Sequence, residues 1–444
     1  MCKDRFSAVM IARTRIIVQQ GGLLAVVFFV GLFTIQLAEG EEAGKRPNVV
    51  LIISDDHAWT DYGFMENPEV RTPNIDRLAK EGLTYTRGYV TTAICSPSLA
   101  TMLTGLHPHS HGITGNDPIR GMDRNDWLEP FFKKPLLPRL LKDAGYLTLH
   151  TGKLWMGIPE RLGFTDDMGP TGRHGGQALA IGRKTMEPIY QFIDKAKQEE
   201  KPFFVWYAPF LPHLPHTPPA RLREKYAHLK DGKKAKYLAM IEWLDETCGE
   251  LMGKLKEKGV DDNTLVLYLA DNGWNAYGKA HPYENGVRTP VIAWWPAKIK
   301  PRSDKRTLVS NLDIVPTILS ACRVTPPKSM PGINVLDAEA AAARDTLFLS
   351  NFAHDMVSPS EPEKSLWTRS CIHEKWKLLA WRKNPPKQRP WNRGHRHKNP
   401  DAMLELFDLT ADPHEKTNLA AKHPEVVEKL QAKLDGWWDL GEKD

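Results

Sequence analysis

Val49-Val50-Leu51-Ile52-Ile53 is an unbroken aliphatic run in which four of five side chains are β-branched. A strand with no polar face must be covered on both sides, which is the condition of an interior strand in a parallel sheet. The run stops at Ser54-Asp55-Asp56, polar residues at the carboxyl end of the strand, the edge where open α/β sheets bind ligands. Thr264 to Ala270 repeats the design and ends in Asp271-Asn272, and Phe203 to Ala208 leads into a loop rich in proline and histidine. Helical stretches alternate with these runs: Thr72 to Gly82 has a cap-like start and a glycine stop, and Leu136–Gly145 and Ala235–Lys258 read similarly. The alternation predicts an α/β fold, a large and mostly parallel mixed sheet sandwiched by helices. Composition shifts after about residue 340. Residues 382–398 are basic and broken by proline, Glu405–Leu409 reads as a strand and Pro424–Trp438 as an amphipathic closing helix. The expected organisation is a large domain over 46–340 and a small α+β C-terminal subdomain over 341–444.

The N-terminus reads as a targeting segment. Lys3, Arg5, Arg13 and Arg15 precede an apolar stretch from Gly21 to Ala38, and Ala38-Glu39-Gly40 offers small residues for cleavage. Residues 1–40 are expected to be a signal peptide, or a membrane anchor if uncleaved. The chain is therefore expected to be exported, to a bacterial periplasm or the exterior. Only Cys95, Cys248, Cys322 and Cys371 follow the leader, and no Asn-x-Ser/Thr sequon occurs. That set is poor material for a disulfide framework or for a glycosylated lysosomal enzyme. A net charge of +6 over 444 residues is too mild to argue for nucleic acid and only favours anionic ligands. Nothing in the sequence sets an oligomeric state.

Two strand ends bearing Asp55-Asp56 and Asp271-Asn272 would bring three carboxylates and an amide together. Unpaired, such carboxylates repel strongly. An all-oxygen set suits a hard cation, Ca²⁺ or Mg²⁺, and not zinc. The competing reading is that both pairs merely cap strand ends. Cys95 opens a further run, Cys95-Ser96-Pro97-Ser98-Leu99, followed by helix-like apolar residues and closed by Thr104-Gly105.

Taken together these blocks resemble the type I sulfatases of the alkaline phosphatase superfamily. Arg46-Pro47-Asn48, Ser54-Asp55-Asp56, Thr72 to Leu78 and the Cys95 motif follow the family's N-terminal order. Gly152-Lys153 resembles its Gly-Lys-x-His, Pro212-His213-Leu214-Pro215 its Pro-His-x-Pro, and Asp271 to Pro290 its second metal block with Lys279. The resemblance implies an alkaline-phosphatase-like fold and the hydrolysis of a sulfate ester, on a sulfated small molecule or polysaccharide. It implies that Cys95 is oxidised by a formylglycine-generating or related maturation enzyme. Its hydrated aldehyde would be the nucleophile, bound at position 95 to a Ca²⁺ (or Mg²⁺) that Asp55, Asp56, Asp271 and Asn272 also hold. Lys153 and Lys279 would bind the sulfate, and His213 would protonate the leaving oxygen. His216 stands in a second Pro-His-x-Pro and competes for that role.

Two positions break the pattern. Leu99 stands where the family motif has arginine, and Trp155 where Gly-Lys-x-His has histidine. An indole donates a hydrogen bond but is no base, and leucine offers neither charge nor donor. Arg120, Arg183 and the alternating His107, His109 and His111 are candidates to fill the gaps. Two other readings stay open: a phosphodiester or phosphonate monoester hydrolase, and a protein that binds sulfated glycans without turning them over.

Overall fold

A computed structural model describes residues 45–119, 121–169, 171–172, 175–274, 278–386 and 403–441. The targeting segment, Arg120 and most of the basic run (387–398) lie outside the described residues. Lys45 to Asp444 forms one compact unit.

Nine strands build the main sheet: β1 (Asn48–Ser54), β2 (Leu83–Tyr89), β3 (Leu147–Gly152), β4 (Asp166–Asp167), β5 (Phe203–Ala208), β6 (Thr264–Ala270), β7 (Arg288–Trp294), β8 (Arg302–Asp304) and β9 (Val309–Ser310). Their order is β8-β2-β7-β6-β1-β5-β3-β4, with β9 also on β2. Only β7 runs antiparallel to its neighbours. The aliphatic run of β1 splits by parity, as a pleated strand requires. Val49, Leu51 and Ile53 enter one apolar core with α2 (Cys95–Thr104), while Val50 and Ile52 enter another with α1 (Pro73–Glu81). α3 (Glu187–Gln198) and α4 (Gly232–Glu257) join α1 on that second face. This is the helix-sandwiched, mostly parallel sheet expected from the sequence. Among the described residues no helix is long and apolar enough to cross a membrane.

A separate antiparallel sheet of four strands follows: β10 (Thr346–Phe352), β11 (Leu366–His373), β12 (Trp376–Trp381) and β13 (Leu404–Asp408). Leu430 and Leu434 of the closing helix α5 (Pro424–Trp437) pack on Leu378 and Leu406. The end of β10 is wedged between two loops of the large sheet. Asn351 Oδ1 accepts the Ala93 N–H at 3.1 Å, and its Nδ2 donates to the Ala280 carbonyl at 2.8 Å.

Strands β6, β1, β5 and β3 are consecutive in the sheet and parallel. Their carboxyl ends therefore lie side by side. The residues that leave them are Asp271-Asn272, Asp55-Asp56, the Pro-His loop and Lys153.

Candidate active site

Each strand end places its side chain by a local backbone device. Asp55 donates its N–H to the Leu211 carbonyl at 2.9 Å, tying β1 to the loop after β5. Asp56 sits at φ 56°, a left-handed conformation that non-glycine residues adopt rarely and mostly where surroundings impose it. Its N–H donates to Asp271 Oδ1 at 3.1 Å. Gly152, at φ 83°, lets the chain pass β5: a Cβ there would lie 2.0 Å from the Ala208 carbonyl oxygen. Lys153 follows. Ala280 donates its N–H to the Ala93 carbonyl at 2.7 Å and so holds Lys279 against the loop that leads to Cys95.

The five charged groups meet in one buried cage. Lys153 Nζ bonds Asp55 Oδ1 at 2.5 Å and Asp271 Oδ2 at 2.8 Å. Lys279 Nζ bonds Asp56 Oδ1 at 2.6 Å, and the Asn272 amide reaches the same oxygen at 2.7 Å. Cys95, the first residue of α2, is fully buried with Sγ 3.9 Å from Asp56 Oδ1. His213 Nε2 lies 3.7 Å from Asp56 Oδ2, and its Nδ1 is 2.6 Å from the Leu214 carbonyl. That second contact makes Nδ1 the protonated nitrogen of the neutral ring and leaves the Nε2 lone pair facing the cage.

Desolvation raises Asp55 and Asp271 to about 6, against the opposing pull of Lys153. Asp56 suffers the same desolvation, yet Lys279, His213 and Lys153 outweigh it and hold it well below the usual carboxylate range. Both lysines stay charged despite burial because carboxylates surround them: Asp271 and Asp55 for Lys153, Asp56 for Lys279. Burial pushes the Cys95 thiol up to about 12, so as a thiol it is no nucleophile at neutral pH. Burial first, then the two lysines, bring His213 down to about 4 against the pull of Asp56.

Three carboxylates against two ammonium groups leave the cage one negative charge in excess. Asp55 Oδ2 and Asn272 Oδ1 are buried acceptors with no hydrogen-bond partner among the described residues. Such oxygens are costly when left bare. They are the donor atoms a hard cation takes, so the residues fit an oxygen-ligated Ca²⁺ or Mg²⁺. Ligand atoms of Asp55, Asp56 and His213, and of Asp55, Cys95 and Asp271, each lie within 4.8 Å of one another.

The sulfatase family profile matches residues 47–324, and the profile of the N-sulphoglucosamine sulphohydrolase C-terminal region matches 271–438. The chain belongs to the sulfatase family. It is similar to N-acetylgalactosamine-6-sulfatase of Sus scrofa, 28% identical over 352 residues, and thereby covers 67% of its own length and 66% of that relative's. The chain thus spans about two thirds of the length of the first curated relatives it matches. N-acetylgalactosamine-6-O-sulfatase of Bacteroides thetaiotaomicron is 25% identical over 502 residues, covering 88% of this chain and 93% of that one. The fold is shared with the crystal structure of Ps i-CgsB in complex with k-i-k-neocarrahexaose, at TM-score 0.72 and 22% identity over 90% and 94% of the two chains.

Within the sulfatase frame, the departures have definite places. Leu99 is turned wholly into the apolar core beside Leu103 and Met102. Trp155 is buried, and its ring lies 4.8 Å from Lys153 Nζ, a cation–π contact that walls the lysine on one side. The Arg183 guanidinium donates to the carbonyls of Phe210, His213 (3.1 Å) and Pro215 (2.9 Å) and to Thr217 Oγ1 (3.1 Å). It braces the His213 loop from behind. His216 lies beside Tyr237, with ring centroids 6.1 Å apart. His107 and His109 stack together and pack on Trp437, and His111 meets Thr101 at 3.3 Å. None of these three histidines joins a potential metal group among the described residues.

Sequence reasoning passed over Asn116, whose Oδ1 accepts the Ser96 N–H at 2.8 Å, one residue beyond the cysteine. It also passed over His354, which Asn116 meets at 3.2 Å. The only signal was the polar Gly115-Asn116-Asp117 turn, and nothing in the sequence pairs it with a residue more than 230 positions away.

Proposed function

We propose that this sulfatase is an exported hydrolase of sulfate esters on a carbohydrate, acting through a formylglycine made from Cys95 beside a Ca²⁺. The observation that carries the reading is the cage: two bare acceptor oxygens and excess negative charge beside Cys95, flanked by two buried lysines. Asp55, Asp56, Asp271 and Asn272 would hold the cation, which when bound supplies Lewis-acid polarisation of a sulfate oxygen and of the nucleophile. Mg²⁺ is the smaller ion the same oxygens would take. The carbohydrate assignment is supported by relatives named as N-acetylgalactosamine-6-sulfatases. Export is supported by the leader-like composition of residues 1–40.

The chain's own groups divide the remaining work. Lys153 and Lys279 are fixed, desolvated cations, and they stabilise the charge that builds on the sulfate oxygens without having to reorganise. As an anionic ester approaches, it offsets the field of the two lysines on His213. The imidazole then gains basicity, and its Nε2–H form is the donor for the departing alcohol oxygen. Arg183 holds the loop that carries this imidazole, and Trp155 excludes water from one side of Lys153.

The test is the intact mass of the Cys95 peptide from the native host, with hydrolysis of sulfate and phosphate esters measured on the same preparation. Replacing S and two H by O makes formylglycine about 18 Da lighter than cysteine. That mass together with sulfate-selective turnover is the expected result. An unmodified thiol in fully active enzyme overturns the formylglycine route, and phosphate-selective turnover overturns the sulfate assignment.

A further inference from the structure

The edge of the large sheet that β8 forms carries a basic stretch, and the hydrolysis described above leaves it unused. Residues 298–306 hold five cations, Lys298, Lys300, Arg302, Lys305 and Arg306, against one carboxylate, Asp304. That carboxylate is spent locally. It accepts the N–H groups of Arg306 at 2.9 Å and Thr307 at 2.8 Å, and Arg302 comes no nearer than 3.8 Å. Lys298, Lys300, Lys305 and Arg306 are exposed and form no side-chain ion pair among the described residues.

This charge adjoins a cavity. Where the loop from β7 to β8 meets the start of the short helix Ala338–Ala343, a groove of about 550 Å³ is lined by Leu83, Trp295, Lys298, Lys300, Arg302 and Leu336 among others. Among the described residues no carboxylate lines it. Trp295 is 8% exposed, and its indole N–H is buried with no hydrogen-bond partner among the described residues. The cations also extend past the groove. Arg302 pairs in register with Leu83 and Asp304 with Tyr85, so Lys305 and Arg306 follow toward the carboxyl end of β2. There Arg87 donates to the carbonyls of Arg306 (3.1 Å) and Glu374, neutral partners that leave its charge uncompensated. From Leu83 to Arg87 the strand rises about 13 Å.

A row of cations of that length matches successive charges on a polymer, where a single free anion would need only one or two. Indole is an apolar platform for the C–H face of a ring, and exposed cations take its anionic oxygens. Charge on an edge strand also discourages pairing between sheets. That accounts for Arg302, but Lys298 and Lys300 precede the strand and line the groove. The groove lies at the amino end of β2, whereas Asp55 and Asp271 leave the carboxyl ends of strands parallel to it. It is therefore a site apart from the sulfate pocket. We propose that the groove and the cations from Lys298 to Arg306 form a second glycan-binding site, which holds a sulfated polysaccharide away from the cage and raises the local concentration of its esters there. The choice of a sulfated glycan among polyanions rests on the sulfatase reading above.

The test is calorimetric binding of chondroitin sulfate to the whole protein in EDTA, which keeps turnover out of the measurement. Wild type is compared with two triple variants. One is Lys298→Gln/Lys300→Gln/Arg302→Gln. The control, Lys195→Gln/Lys197→Gln/Lys201→Gln, removes the same charge from exposed lysines held by Asp166, the Lys258 carbonyl and Glu199. The groove variant is expected to bind at least about tenfold more weakly and the control within about twofold of wild type. In the Ca²⁺-loaded enzyme the groove variant is expected to raise KM for the polysaccharide at least about fivefold with kcat unchanged, and to leave kcat/KM for a monosulfated N-acetylhexosamine within about twofold. Equal weakening in both variants reduces the effect to net charge and overturns the site. So do equal KM changes on polysaccharide and monosaccharide. Wild-type binding as tight to hyaluronan, a carboxylate polymer without sulfate, or to phosphatidylglycerol vesicles overturns it as well. A protein that binds chondroitin sulfate through the groove but cleaves no sulfate ester loses the sulfatase reading and keeps the site. One that cleaves the sulfated monosaccharide without binding the polysaccharide loses the site and keeps the reading.

Discussion

Two buried charge clusters in this sulfatase are built from the same residue types and finished differently. In the cage, two lysines face three carboxylates, and Asp55 Oδ2 and Asn272 Oδ1 accept no hydrogen bond. In the second cluster Lys377 of β12 bonds Glu284 at 3.0 Å and Glu415 at 2.9 Å. There Glu415 also accepts the Glu284 N–H at 2.6 Å, Tyr89 donates to Glu284 at 3.1 Å, and Arg288 lies 3.6 Å from the same carboxylate. Charges balance, and each carboxylate oxygen meets a cation, an N–H or an O–H, Glu415 Oε1 through its ion pair with Lys377, so that cluster clamps the small sheet onto the loop just beyond Lys279. A polar network completed by protein groups is a fastener. One left short of donors and positive charge is a binding site.

The largest separation between the two comes from neutralising a cage carboxylate. Asp55→Asn, at a carboxylate whose desolvation outweighs the pull of Lys153, is expected to lower kcat/KM by at least about 10³, since several kcal/mol of cation-derived stabilisation is lost. Removing one of three mutually repelling charges is expected to leave stability equal or higher in EDTA. Parallel kinetics and urea denaturation check this, and a marked loss of stability would erase the distinction drawn here. Lys377→Met attacks the fastener instead and strands two buried carboxylates. It is expected to cost about 3–5 kcal/mol in urea unfolding, with much of that returned by adding Glu415→Gln.

The next effect depends on pH. Burial raises Asp55 and Asp271 from 3.8 to about 6, so these two groups bind more protons in the folded cation-free protein than in the unfolded chain across that window. Their contribution to stability therefore falls as pH rises from about 4 to 6, while His213, brought down from 6.5 to about 4, contributes the opposite sign. Glu415, raised by burial from 4.5 to about 7, contributes the same sign as the two aspartates over its own window. If, as proposed, Ca²⁺ is held by the ionised cage and not by the fastener, the thermal shift from EDTA to Ca²⁺ should be larger at pH 7.5 than at pH 5. At a free concentration of a hundred times Kd the stabilisation at the higher pH is about 2.7 kcal/mol. Equal shifts at both pH values would argue against carboxylate ligation. The smallest effect is expected of His216→Ala, within about threefold of wild-type turnover, because a ring that lies beside Tyr237 and joins no potential metal group among the described residues should supply none of the roughly 10²–10⁴-fold of a proton donor.

Much of the site was legible because its chemistry is written at strand ends. The double-sided apolar runs of β1, β5 and β6 announce where each strand stops, and Asp55-Asp56, Asp271-Asn272 and the Pro-His loop follow at once. Other features were not legible, since they depend on which way a side chain turns or on partners far along the chain. Leu99 looks in the sequence like a damaged motif, and in the fold it is an ordinary core residue of α2. Arg183 looks like a spare cation and is a brace on backbone carbonyls. The three alternating histidines look in the sequence like stand-ins for the missing motif residues, yet two of them are aromatic packing under the closing helix.

By itself the sequence determined the layered α/β architecture, the identity of the charged groups and the edge of the sheet at which they emerge. Periodicity and strand length are local properties, and hydrophobic burial on two faces leaves one arrangement open to them. Only the tertiary structure decided that Lys153 spans Asp55 and Asp271, that two oxygens of the cage stay bare, and that loops more than 230 residues apart join beside Cys95. Those outcomes are set by sheet order and by the packing of the second sheet, which fix distances between residues that no local rule connects.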